Sequence, residues 1–357
     1  MRTRIVGGLA FILALTPTSA LSAAPTAPAP TDLEEIMVYL GFDRGDLGKL
    51  MDGKVISTRL KEGSDKELAV SVALLVRATV DEVAEMARSG KTFEVGRDVL
   101  EYHHISPGPP NEGDLAGLGY SAAETSEVSK LLKVRAGSVF NLSAAEIDRL
   151  QEIGRQHKGK NPRQDPAVRE AVNAAVRSIL LERYRAYREG GLAAIAPYHR
   201  GGKTKAEPAK ELSLAFKEDA VLPDSLKAIE RAFGSFPQEG ADDIENHFFW
   251  IKQKVQNRPT FILTHRMLQQ RADGMLLGAE RQFYVGQSYN SLQIVVGCVP
   301  VEQGTIMFYR NRTSTDQVAG FGSGLKHGIG RGQMADTIVK DFKALRKVLE
   351  KKSGAQD

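Results

Sequence analysis

Apolar residues recur at two periods along this chain, and the switch between them divides it. Val168, Val172, Val176, Ile179, Leu180 and Tyr184 fall at three- and four-residue steps, the spacing of one helix face. Asp165-Pro166 supplies a start signal and Gly190-Gly191 a stop, so a long amphipathic helix is predicted between them. Met334, Ile338, Val339, Phe342, Leu345 and Leu349 form a second stripe and predict a C-terminal helix from Gln333 to Lys351. Further helix starts are expected at Thr31, Thr79, Ser121 and Ser143. Each is followed three residues on by a glutamate that can close a capping box.

The other period is two. Glu67 to Ala78 is rich in Val and Leu and runs directly into the Thr79 cap, which predicts a strand followed by a helix. Val99 to Ile105 is a second strand candidate, stopped by Pro107-Gly108-Pro109-Pro110. From residue 107 to 241 the chain reads as mainly helical, an insertion or a separate layer. Extended segments follow at Asn246–Val255, Thr260–Gln269, Arg281–Ser288, Leu292–Val301 and Thr305–Thr313. Turn-forming sequences such as Ala272-Asp273-Gly274 and Glu302-Gln303-Gly304 join them, which is the pattern of an antiparallel meander. The expected organisation begins with a signal over 1–24, a Pro/Ala leader with short helices over 25–52, and the first strands and helix of an α+β domain over 53–106. The helical insertion over 107–241, the meander and closing helix over 242–352 and a tail over 353–357 complete it.

An antiparallel sheet with one apolar face needs a cover, and the terminal helix has the stripe to provide it. The unit Leu68–Gly90, the strands between Asn246 and Thr313 and the helix from Gln333 together resemble the helix-grip architecture of the START-like (SRPBCC) superfamily. The resemblance lies in the order of elements over part of the chain, without a diagnostic motif. It implies an α+β fold in which a curved antiparallel sheet wraps around a long C-terminal helix. It also implies a cavity between them that takes lipids or other hydrophobic ligands. The stretch from 107 to 241 departs from the compact pattern of that superfamily.

The first residues add an address. Met1-Arg2-Thr3-Arg4, an apolar run from Ile5 to Leu15 and small residues up to Ala24 follow the order of a cleaved secretory signal. That run is shorter than the roughly 20 residues needed to span a bilayer. Cys298 is the single cysteine, so an intrachain disulfide cannot form and a lipid-attachment cysteine at the signal boundary is missing. The expectation is a periplasmic or secreted protein that is not a lipoprotein. Losing Arg2 and Arg4 lowers the formal charge of +4 by two, and so near-neutral a balance argues against general nucleic-acid binding. The last helix is nevertheless basic: Lys326, Arg331, Lys340, Lys343, Arg346, Lys347, Lys351 and Lys352 outnumber Asp336, Asp341 and Glu350. A solvated face is the ordinary explanation, and a peripheral membrane or protein contact is the alternative.

Candidate chemistry changes this picture little. His103, His104, His247 and His265 form no paired motif with a neighbouring glutamate, so neither a metal site nor a cofactor is expected. Glu101 and His103 share a strand face and, with His265, would be the acid/base groups of a hydrolase-type enzyme. Pro197 to Thr204 ends like a phosphate-binding loop but lacks its first glycine, and reads as a basic surface loop. Arg183, Arg185 and Arg188 suit a helix C-terminus. The glycines from Gly320 to Gly332 imply flexibility or close packing ahead of the last helix. Aromatic residues concentrate in the meander, and Trp250, His265, Phe283 and Phe342 are the residues expected to wall the cavity. The expected function is non-catalytic binding of a hydrophobic or amphipathic small molecule. An envelope scaffold acting through 107–241 and the basic helix, or the enzyme just described, are the alternatives.

Overall fold

The computed structural model describes residues 30–219, 227–238, 243–320, 323–352 and 354. The signal expected over 1–24, the leader up to residue 29 and most of the tail lie outside them. The chain begins with helices α1 (Pro30–Tyr39) and α2 (Asp46–Met51), then β1 (Ile56–Arg59), β2 (Glu67–Val76), α3 (Val80–Ser89), α4 (Thr92–Val95) and β3 (Val99–Ile105). Next come α5 (Thr125–Leu131), α6 (Ala144–Gln156), α7 (Pro166–Gly190), the hairpin β4 (Tyr198–Gly201) and β5 (Thr204–Ala206), α8 (Pro208–Asp219) and α9 (Lys227–Ser235). The meander β6 (Ile244–Val255), β7 (Arg258–Gln270), β8 (Leu276–Val285), β9 (Ser291–Val301) and β10 (Gly304–Ser314) leads into α10 (Ser323–Lys352).

The fold is α+β. Eight strands form one sheet in the order β1-β2-β10-β9-β8-β7-β6-β3, and every neighbouring pair is antiparallel. Of the three strands that precede the helical stretch, β2 and β3 flank the meander from opposite sides, β2 beside β10 and β3 beside β6, and β1 pairs with β2 at the edge. Both faces of the sheet are covered. On one, the alternate residues Val70, Val72, Leu74 and Val76 of β2 meet Ile338, Phe342, Leu345 and Leu349 of α10. On the other, α5, α6 and α7 pack over Phe248, Trp250, Leu263 and Phe283. Beside them α1, α2 and α9 cover Ala73, Leu75, Met267 and Phe308. No described helix is long and apolar enough to cross a membrane.

Local signals explain much of this. Thr79 and Glu82 close a capping box at α3, as do Ser143 and Glu146 at α6. Asp165 caps α7 by accepting from the Ala167 amide at 3.0 Å. The β6–β7 turn uses Gln256 (φ 51°) and Asn257 (φ 60°), the left-handed pair that suits the twist of a two-residue hairpin.

Three boundaries differ from expectation. β8 begins at Leu276, ahead of Arg281, because it is buried on both faces and lacks the alternation that marks a half-exposed strand. α10 begins at Ser323, ahead of Gln333, and runs through four glycines at 324, 328, 330 and 332. Each glycine costs a helix about 1 kcal/mol relative to alanine, and contacts with the β1–β2 loop offset it. His327 bonds Glu62 at 2.7 Å and the Asp65 carbonyl at 2.9 Å, and Arg331 bonds Glu62 at 2.8 Å. Finally, Tyr198 to Ala206 is a hairpin within the otherwise helical stretch, with Gly201 and Gly202 at positive φ in its turn. Arg200 of that hairpin is used internally, donating to Asp316, the Gly137 carbonyl, Asn141 and Asn290.

Candidate functional site

Between the sheet and α10 lies a cavity of about 370 Å³. Its floor follows from strand alternation, since every second side chain of a strand points to one face. Leu268 of β7, Leu276 of β8, Val296 and Cys298 of β9 and Met307 of β10 form that floor. Ile338, Phe342, Leu345 and Leu349 of α10 form the roof. Met86 of α3 and Phe93 and Val95 of α4 close one side. Leu292, Ile294 and Val296 belong to a strand in the middle of the sheet yet are only half buried, because empty space lies against them. Burial pushes the Cys298 thiol up to about 12, so the only cysteine is an inert part of the wall.

A small polar group interrupts the apolar lining. Arg266 donates to Glu280 through Nε at 2.8 Å and through Nη2 at 2.7 Å. Its Nη1 donates to the Ala87 carbonyl at 2.6 Å and to Thr92 Oγ1 at 3.2 Å, and the guanidinium lies 4.7 Å from the Phe93 ring centre. Tyr289 donates to Gln282 at 2.6 Å. The Tyr309 ring meets Phe342 edge to face at 5.1 Å, and burial raises the pKa of its hydroxyl. Thr337 and Asp341 line the cavity from α10 and are both exposed, which marks an opening there. Burial, together with the nearby Asp98, raises the pKa of Asp341.

Of the four residues expected in the wall, Phe342 lines this cavity. Trp250, His265 and Phe283 sit on the opposite face, inside the core made with α5–α7. Trp250 donates to the Asp114 carbonyl at 3.0 Å. Fully buried His265 bonds Tyr187 and Asn246, each at 2.9 Å, and burial pushes its pKa well below the ordinary imidazole value. Phe283 is the extra residue of a β-bulge: Leu263 pairs with Tyr284 and Thr264 with Gln282, so Phe283 has no partner. The bulge sends both Phe283 and Tyr284 to the helical side, where Tyr187 stacks on Phe283 at 3.9 Å.

The acid/base set does not converge. Glu101 and His103 are exposed on the edge strand β3, where His103 stacks on Trp250 at 6.0 Å, whereas His265 is enclosed. Among the described residues no group of three His, Cys, Asp or Glu side chains is placed to hold a metal. Arg183 is committed to a buried pair with Glu146 at 2.7 Å, and Arg185 and Arg188 donate to carbonyls of the Pro107–Pro110 loop. On α10, Arg331, Arg346 and Lys352 also have internal partners, while Lys340, Lys343, Lys347 and Lys351 are exposed.

The sequence reading missed Arg266, Glu280, Tyr309 and Asp341. One signal was available: Asp341 falls at the border of the apolar stripe of the last helix, beside Ile338 and Leu345, which puts a carboxylate at the rim of the face that covers the sheet.

No protein-family model matches the chain, and no curated protein matches it. Among solved structures, a START superfamily protein from Mycobacterium smegmatis is similar at 12% identity with a TM-score of 0.22. The match covers 29% of this chain and 65% of that one.

Proposed function

We propose that this protein is an exported binding protein that holds a hydrophobic or amphipathic small molecule between its sheet and α10. The observation that supports this reading is the cavity of about 370 Å³, apolar over most of its wall, with a few polar groups and an opening at Thr337 and Asp341. Ligand sites commonly have this make-up, an apolar wall for affinity and few polar groups for orientation. Burying apolar ligand surface contributes roughly 25 cal/mol per Å² before the costs of association. The N-terminal pattern over 1–24 supports the exported address.

Titration of the full chain with the neutral fluorescent probe N-phenylnaphthylamine tests the reading. Saturable binding is expected, and Val296→Trp, which places an indole in the cavity, is expected to abolish it. Absence of binding, or binding that Val296→Trp leaves untouched, would sink the proposal.

A further inference from the structure

We infer that the cavity prefers ligands carrying a protonated amine, with Asp341 as the group that pairs with it. This deepens the cavity reading by naming a ligand class, and it rests on that reading.

Three charged side chains line the cavity: Arg266, Glu280 and Asp341. The first two neutralise each other, and the remaining donors of Arg266 are largely taken by the Ala87 carbonyl and Thr92. An anionic head group therefore finds no free guanidinium. Asp341 is left over, and its carboxylate has no hydrogen-bond or ion-pair partner among the described residues. The lining as a whole carries an excess negative charge.

Position makes that charge meaningful. Asp341 projects from the stripe that otherwise buries Ile338, Phe342 and Leu345, and it is exposed at the cavity opening. Phe342 and Tyr309 present aromatic surface beside it, and the Tyr309 hydroxyl lies within the fields of both Glu280 and Asp341. A ligand ammonium at Asp341 gains a counter-ion at the mouth of a cavity that Phe342 and Tyr309 also line. Its apolar body extends over the floor at Val296 and Met307. The exposed lysines of α10 are not part of the lining.

The test compares decylamine, decanol and decanoate as competitors of N-phenylnaphthylamine on the full chain at neutral pH, where an aliphatic amine is protonated. Decylamine is expected to displace the probe at about tenfold lower concentration than decanol, with decanoate weakest. Asp341→Asn should bring decylamine to the level of decanol while decanol itself is unchanged, and Asp341→Lys should make decanoate the better charged competitor. Equal displacement by amine and alcohol in the unaltered protein, or an amine preference that survives Asp341→Asn, overturns the inference while the cavity reading stands. Failure of decanol to displace the probe, or of the probe to bind, overturns the cavity reading and the inference with it.

Discussion

The two faces of the central sheet are made by the same strands and packed in different ways. Toward α5–α7 the strands offer large rings, and three helices fill the space between them. Tyr187 lies flat on Phe283, and Arg281 is fully buried with its guanidinium 4.0 Å from the Phe233 ring centre. Arg281 also donates to the Tyr187 hydroxyl at 3.0 Å and the Phe233 carbonyl at 3.1 Å. Two cavities among the described residues on this face of the sheet, one under α1, α8 and α9 and one under α5–α7, hold about 40 and 20 Å³. Toward α10 the strands offer mainly aliphatic side chains and the cover is chiefly one long helix, so about 370 Å³ stays open. Under the proposed function this is a division of labour: the filled face supplies stability, and the open face keeps room for a ligand.

The largest effect that tests this division is truncation on the filled face. Phe283→Ala should cost about 3–5 kcal/mol, read from urea unfolding. Leu345→Ala, on the open face, should lie near the low end for such changes, about 2 kcal/mol, because part of that side chain already borders space. Equal costs would break the comparison.

Acid provides a smaller effect. Burial and the fields of Arg281 and Arg188 keep His265 neutral in the folded protein, whereas the unfolded chain protonates it near pH 6.5. Below that pH the unfolded state binds more protons than the folded one. The stability contributed by neutral His265 is thus complete above about pH 6.5 and falls with acidification, at up to about 1.4 kcal/mol per pH unit, until the folded pKa is reached. Stability measured against pH should show this slope, and His265→Gln should flatten it; an unchanged slope would place the acid sensitivity elsewhere.

The smallest effect is expected from filling the open face. Overpacking a dense core typically costs about 1–3 kcal/mol, yet Val296→Trp should change stability by less than about 1 kcal/mol, since its indole enters existing space. A larger loss would mean that the cavity is not free to accept a side chain.

Much of the architecture was legible along the chain. The limits of β3, the start and end of α7 and the succession of five closing strands followed from period, caps and turn residues. The stripe of the last helix placed Phe342 toward the sheet, whereas the cavity was expected only from the resemblance in element order. The remaining wall residues did not follow, because choosing aromatic side chains favours the face that is filled most densely. Open space lies where most side chains are smaller, and a size-based choice points away from it.

The sequence by itself determined the kinds of element, their order and the alternation within each strand, since these depend on neighbours a few residues apart. Which set of alternating residues faces open space was decided by tertiary structure. The bulge at Phe283 places the adjacent rings of Phe283 and Tyr284 on the same, helical side, and the contacts of His327 and Arg331 with Glu62 extend α10 through its glycines. The left-over charge of Asp341 exists only because Arg266 of β7 and Glu280 of β8 meet across the sheet and satisfy each other. Those contacts join residues far apart in the chain, so local spacing carries no record of them.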